Sequence, residues 1–309
     1  MNEFSIVIVT YGRNAELANL ISSIQGEIKE LKEILIIDNH EDKIAAEIQS
    51  KFLPNRRIRY VHNSNNSLTA GRKIGAELSE SEIVLFLDDD VTLEPNYLRN
   101  MLEFYREYPD ANGMQGVFDV GPYSKTKNIF NRLFWLFNYS KNEYKVYPSV
   151  QGSYASHNEE VQECEWFSGT NFSYRRKVLD HIDFDLNLIK YCEGEDIDYS
   201  FRAHKKFGGL YVQPRCQVVH HAVQQSRVVG EQFMIMQEIY GYYLFKKLFP
   251  FNLKNVAIYL LSRIGKMILY IVDLLTNKKD AFQNLRYYIK SILRSILNND
   301  LDQFNREIR

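Results

Sequence analysis

Four apolar, β-branched runs, each closed by a polar residue, occupy the first ninety residues and constrain the fold more than any other feature of the chain. They are Phe4–Thr10, Ile34–Asp38, Ile58–His62 and Ile83–Leu87. Runs of this length without polar alternation predict strands buried on both faces. Between them, the spacing predicts helices over Asn14–Ile28, Asp42–Phe52 and Leu68–Ser79. Alternating strands and helices imply βαβ units, hence an α/β fold with a mostly parallel, doubly wound sheet flanked by helices. Such sheets bind ligands beyond the carboxyl ends of their strands. The residues to read are therefore Thr10 and Tyr11, Asp38 and Asn39, His62 and Asn63, and the run Asp88, Asp89, Asp90.

Further along, Glu94 and Pro95 predict a helix starting at Pro95. The stretch from Gly113 to Thr170 is less regular and rich in aromatic residues. A helix is predicted over Asp196–Phe207, closed by Gly208 and Gly209, followed by short strands at Leu210–Gln213 and Gln217–His220. Beyond Ser226 only long helical patterns remain. One of them, Asn255–Leu275, is strongly apolar yet contains Arg263, Lys266 and Asp273. Each such charge costs about 2.5–3.5 kcal/mol at a bilayer centre, so a helix lying on a membrane or packing on the core is expected. Both readings stand at this point. The segment from Gly241 to Arg309 carries twelve Lys/Arg against five Asp/Glu.

Over all 309 residues, 38 Lys+Arg nearly balance 39 Asp+Glu, which gives no electrostatic reason to expect a nucleic-acid partner. Cys164, Cys192 and Cys216 show no CxxC spacing, so neither a disulfide framework nor a zinc ribbon is expected and a reducing cytosol fits. The N-terminus runs directly into the first strand, which reads as no secretory leader. The expected location is the cytoplasm, or the inner face of the cell membrane if the basic helices lie on it.

Three clusters carry chemistry. Asp88, Asp89 and Asp90 end the fourth apolar run; three carboxylates there repel one another and are costly to hold without a cation. Strand alternation sends Asp88 and Asp90 to one side, an oxygen pair suited to Mn²⁺ or Mg²⁺. An acidic turn or helix cap is the plainer alternative. Glu193, Glu195, Asp196 and Asp198 open the helix that contains Arg202. Some of these acids serve the helix dipole or an i,i+4 pair. An ionised carboxylate among them also suits a general base, and a helix N-terminus is expected to keep Asp196 ionised. His220 and His221 stand at a strand end, where an imidazole can complete a carboxylate metal site.

Taken in order, the segments Ser5–Tyr11, Leu35–Asn39, Leu68–Gly75, Leu87–Asp90, Phe167–Asn171 with Arg175 and Arg176, Phe184 with Asp185, Gly194–Asp196 with Arg202, and His221 with Ser226 resemble the inverting family 2 glycosyltransferases. The resemblance spans about residues 4–226. It implies a GT-A catalytic domain over 1–226, with a nucleotide-binding half of about 1–112, an acceptor half of about 113–226, and a helical extension over 227–309. It implies transfer of a sugar from a nucleotide-diphosphate donor, a pyrimidine nucleotide by default, to a hydroxyl of a glycan or lipid-linked acceptor in cell-surface polysaccharide or glycolipid synthesis. Thr10, Tyr11, Arg13, Asp38, Arg72, Asp88 and Asp89 are then nucleotide and donor residues. Asp90, Asp88 and His221 are the metal set, Asp196 with Glu195 the catalytic acids, and Trp166, Phe167 and Gly169 the acceptor border. The chain departs from the family pattern at Lys73 and at Gln224 and Gln225.

A dinucleotide-dependent oxidoreductase should show GxGxxG after the first strand, and a phosphotransferase GxxxxGK[ST]; neither is present. A nucleotidyltransferase should show a Gly-rich, Arg-containing loop there. The non-enzymatic alternative is an inactive GT-A scaffold that docks on membranes through the basic, aromatic segment Tyr242–Phe249.

Overall fold

The structure is a computed structural model. It describes residues 3–24, 29–42, 57–119, 124–140, 143–155, 159–191, 193–222, 228–297 and 301–308. The expected helix over Asp42–Phe52, the end of the one reaching Ile28, and Cys192, Gln224, Gln225 and Ser226 lie wholly or largely outside these residues.

The four apolar runs form strands β1 (Phe4–Thr10), β2 (Leu31–Asp38), β3 (Ile58–His62) and β4 (Ile83–Asp88). They lie in the order β4-β1-β2-β3, every neighbour parallel. Helices α1 (Asn14–Ser23) and α2 (Leu68–Leu78) cover opposite faces. On β1, Ile6 and Ile8 pack with Leu17 and Leu20 of α1, whereas Val7 and Val9 pack with Leu68 and Ala76 of α2. Burial on both sides is why β1 and β4 show no polar alternation; β3, at the sheet edge with Arg59 exposed, is not buried on both faces as expected.

β5 (Val91–Leu93) follows the acidic run. Helix α3 spans Tyr97–Glu107, not the span beginning at Pro95, because Asn96 takes a left-handed backbone (φ 69°) immediately before it. The aromatic middle of the chain contributes β6 (Gly113–Phe118), α4 (Lys125–Leu133), β7 (Asn138–Ser140), β8 (Val146–Tyr147), β9 (Gln151–Ala155), β10 (Gln162–Glu163) and β11 (Asn171–Arg175). Strands β7, β9 and β8 make a small separate sheet. β11 runs antiparallel between β4 and β6, so the sheet is parallel on one side and mixed on the other.

After α5 (Arg176–Leu179), helix α6 (Glu195–Phe207) carries the second acidic cluster. The two strands expected next form one, β12 (Leu210–His220), whose pairing to β6 shifts register between Val212 and Gln217. That irregularity is what divided the apolar pattern. The chain ends in α7 (Gly230–Leu248), α8 (Leu253–Leu275), α9 (Ala281–Leu297) and α10 (Leu301–Ile308). Ile239 and Leu244 of α7 and Phe304 of α10 join the same apolar cluster as Val7 and Phe86 of the sheet. Two of the charges inside α8 face inward, Arg263 and Lys266 pairing with buried Glu238 of α7 at 2.6 and 3.1 Å, whereas Asp273 is partly exposed and pairs with Lys278. No helix among the described residues is long and apolar enough to cross a membrane.

Candidate functional site

The strand ends predicted to matter converge. Gly71 and Gly75 bring α2 so close to β1 that a Cβ on either would come within 2.6 Å of Val9 or 2.2 Å of Val7. The close approach aims Arg72, on the same helix, at the end of β4. Its guanidinium donates to Asp88 Oδ1 at 3.1 Å, to the Gly169 carbonyl at 2.7 Å and to Glu195 Oε1 at 2.7 Å. One buried arginine thus joins the acidic strand end, the turn before β11 and the first turn of α6.

The other acids of the run are compensated differently. Asp89 is buried and accepts from Thr10 Oγ1 and from Arg13 Nη1, both at 2.8 Å. Burial raises its carboxyl to about 7 although Arg13 and Thr10 pull it down. Arg13 also lies 3.4 Å from Asp90 Oδ2. Two arginines therefore supply part of the compensation that the bare sequence assigned to a cation. Burial likewise raises Asp88, against the pull of Arg72.

The histidine facing this run is His220, which corrects the expectation for His221. Along β12 the even-numbered residues Cys216 and Val218 point inward, and His220 continues that side. β12 pairs with β5 beside the acids, His220 opposite Val91. His220 Nε2 is 3.4 Å from Asp90 Oδ1 and is buried without a hydrogen-bond partner among the described residues. Asp88, Asp90 and His220 each present a ligand atom within 4.8 Å of the others. Two carboxylates, one imidazole and an unsatisfied buried nitrogen fit a hard divalent cation such as Mn²⁺ or Mg²⁺. His221 is exposed, with its ring bonded to Thr92 Oγ1 at 2.8 Å.

Gly194 takes a left-handed conformation (φ 96°) that starts α6 sharply. Glu195 turns inward to Arg72; burial raises it to about 8 even so, and its Oε2 has no partner among the described residues. Asp196 turns to the cleft. Its Oδ1 accepts from Ile197 N–H at 2.8 Å and its Oδ2 from Gly169 N–H at 3.0 Å. Each oxygen keeps a lone pair for a ligand. Burial raises the Asp196 carboxyl despite these two N–H groups, so the helix N-terminus alone does not set its protonation as expected.

Three cavities meet here. The first, about 470 Å³, is lined by Thr10, Tyr11, Arg13, Asn39, Asp88 and Asp89. Asp38 does not line it: its oxygens accept from His40 N–H at 2.9 Å and Tyr60 O–H at 2.8 Å, and Asn39 takes the lining place. The second, about 590 Å³, brings together Arg72, Asp88, Gly169, Glu195, Asp196 and His220. The third, about 230 Å³, is bordered by Trp166, Asp196, Gln237, Arg263 and Lys266. Phe167 is not at its border but packed in the core against Phe172 and Tyr174. Sequence reasoning marked Asn39 only as a strand-end residue and missed Tyr191, which lines the first two cavities, and the α7 and α8 residues. No motif marks them; only tertiary packing brings them to the cleft.

A sheet in this order, acids ending its central strand and an acid-bearing helix across the cleft define a GT-A type fold. The profile of "Glycosyl transferase family 2" matches residues 5–183. The chain belongs to that family. It is 22% identical over 285 residues to a glucosyl-dolichyl phosphate glucuronosyltransferase of Haloferax volcanii, covering 88% of this chain and 86% of that one. Among solved structures, S. aureus TarS 1-349 in complex with UDP-GlcNAc superposes with a TM-score of 0.58 at 14% identity, over 98% of this chain and 89% of that one. GalNAc-T7 with UDP, GalNAc and Mn²⁺ gives a TM-score of 0.57 at 15% identity, over 80% of this chain and half (50%) of that one.

Proposed function

We propose that the protein is an inverting glycosyltransferase that moves a sugar from a nucleotide-diphosphate donor to an acceptor hydroxyl. The observation that carries the reading is the position of Asp196, which lines both the cavity holding Asp88, Arg72 and His220 and the cavity bordered by Trp166 and Lys266. A donor in the first of these and an acceptor in the second meet at its carboxylate.

The 470 Å³ cavity is of nucleotide size; Tyr11 offers a ring face for a base, a pyrimidine in this proposal, and Asn39 an amide for its edge. Asp88 and Arg72 adjoin the sugar diphosphate. Asp88, Asp90 and His220 would hold a divalent cation, which would neutralise charge on the departing diphosphate. Asp196 takes the proton of the acceptor hydroxyl as its oxygen bonds to the anomeric carbon. The bond from that carbon to the diphosphate breaks on the opposite face, its electron pair leaving on the phosphate oxygen, and the configuration inverts. The acceptor is a lipid-linked glycan in this reading, after the dolichyl phosphate substrate in the name of the archaeal relative. Residues 1–226 form the catalytic domain, and the extension over 227–309 walls the acceptor cavity. An inactive scaffold has no use for a base kept accessible at the junction of two cavities.

Asp196→Asn should lower nucleoside diphosphate release by about 10²–10⁴-fold, while donor binding, read as a thermal shift with Mn²⁺, persists. A wild-type rate in that variant, or no release by the parent from any sugar nucleotide, overturns the reading.

A further inference from the structure

We infer that the outer side of the α8–α9 hairpin docks on an anionic lipid bilayer, lying on the surface without crossing it. Twelve of the seventeen large apolar side chains left exposed among the described residues fall between Phe251 and Ile296. Monomer surfaces rarely gather apolar side chains in this way.

The pattern is helical. On α8, Leu260, Ile264, Ile271 and Leu275 are exposed (54, 51, 41 and 76%), while Ile258, Tyr259, Ser262 and Arg263 face the protein. On α9, Phe282, Ile289, Leu293 and Ile296 recur every three, four or seven residues and are all exposed. Such intervals keep side chains on one stripe. The two helices pack together through Tyr270 and Tyr288, ring centres 4.8 Å apart. Ile129 and Leu133, exposed on α4, stand beside them, since Phe134 at the end of α4 lies against Gly265.

Charge selects the occupant. Residues 251–297 carry eight Lys/Arg and two Asp. Five of the basic side chains pair with Glu231, Glu238, Asp273 or Glu307. Lys254, Lys279 and Arg286 are exposed at the edges of the apolar stripes, with no ion pair among the described residues. A basic fringe around an apolar strip matches anionic headgroups over acyl chains. Two copies meeting through this patch bring their own basic residues together, which disfavours a dimer. The absence of a helix suited to crossing among the described residues leaves a surface-lying arrangement.

The inner side of α8 supplies Arg263 and Lys266 to the cavity of Asp196. Docking therefore sets that cavity about one helix diameter, ~10–12 Å, from the headgroups. This last consequence rests on the acceptor reading above; the docking itself does not.

The experiment is flotation of the full chain with vesicles of phosphatidylcholine, alone or mixed with phosphatidylglycerol. The expected result is binding to the mixed vesicles, weakened by salt and by about fivefold for each of Lys279→Gln and Arg286→Gln. The variant Leu260→Glu, Ile264→Glu, Ile271→Glu should bind at least tenfold less, with an unchanged thermal midpoint and unchanged donor hydrolysis in vesicle-free buffer. Three results overturn the inference: a parent that stays with the unbound fraction, a triple variant that floats like the parent, or a parent dimer that the triple substitution converts to monomer, which assigns the patch to a second copy. Donor hydrolysis without vesicles reports separately on the transferase reading.

Discussion

Arg72 Nη1 lies 2.7 Å from Glu195 Oε1, across 123 residues of sequence, with both side chains almost wholly buried (3% and 6% exposed). The same guanidinium holds Asp88 at 3.1 Å. Removing Arg72 leaves buried oxygens of Glu195 and Asp88 without their donor, at a cost of about 1–3 kcal/mol for each group left unsatisfied. Arg72→Met should therefore lower unfolding stability by that order, measured by urea denaturation. A loss below about 1 kcal/mol, the value of a surface pair, contradicts the bridging role.

His220 and His221 separate cleanly by substitution. His220→Ala removes the imidazole beside Asp90 and should abolish most of the Mn²⁺-dependent thermal shift produced by a nucleoside diphosphate. His221→Ala removes a ring bonded to Thr92 and should leave that shift nearly intact. The reverse ranking returns the metal role to His221.

Asp196 titrates above the ordinary aspartate value of 3.8, because burial outweighs the Ile197 and Gly169 N–H groups. A base acts only when ionised, so the rate should be lost as pH falls through this raised value. The acid limb of kcat/KM is expected above 3.8. An acid limb at or below that value, measured over a pH series with a sugar nucleotide, removes Asp196 from the base role.

Glu238 moves the other way. Burial alone would raise it, but Arg263 and Lys266 hold it below its ordinary value of 4.5. A depressed folded value means stability that is present above 4.5 and lost as pH falls through the folded value. The thermal midpoint of the parent should drop more steeply below about pH 4.5 than that of Glu238→Gln. Parallel curves show that this trio contributes nothing to acid stability.

The strands were legible because burial on both faces of a parallel sheet removes polar alternation, leaving Phe4–Thr10 and Ile83–Asp88 visible as unbroken apolar runs. Asp88, Asp89 and Asp90 were legible because three acids ending such a run have few structural uses. The histidine was within reach too: alternation through Val218 in the expected strand Gln217–His220 arrives at His220, whereas the family resemblance, through its spacing to Ser226, pointed to His221. Asp38 and Phe167 resisted for a different reason, since whether a side chain at a strand end faces a cavity or a neighbour depends on that neighbour. Tyr60 claims Asp38, and Phe172 and Tyr174 enclose Phe167.

The amino-acid order by itself determined the βαβ framework, the acidic strand end and the acid-bearing start of α6, because hydrophobic period and helix-capping chemistry act over a few residues. Tertiary structure alone decided that Arg72 joins Asp88 to Glu195, that Asp196 stands between two cavities, and that Gln237, Arg263 and Lys266 close the second of them. Those are contacts between segments far apart in the chain, fixed by packing geometry that no local pattern encodes.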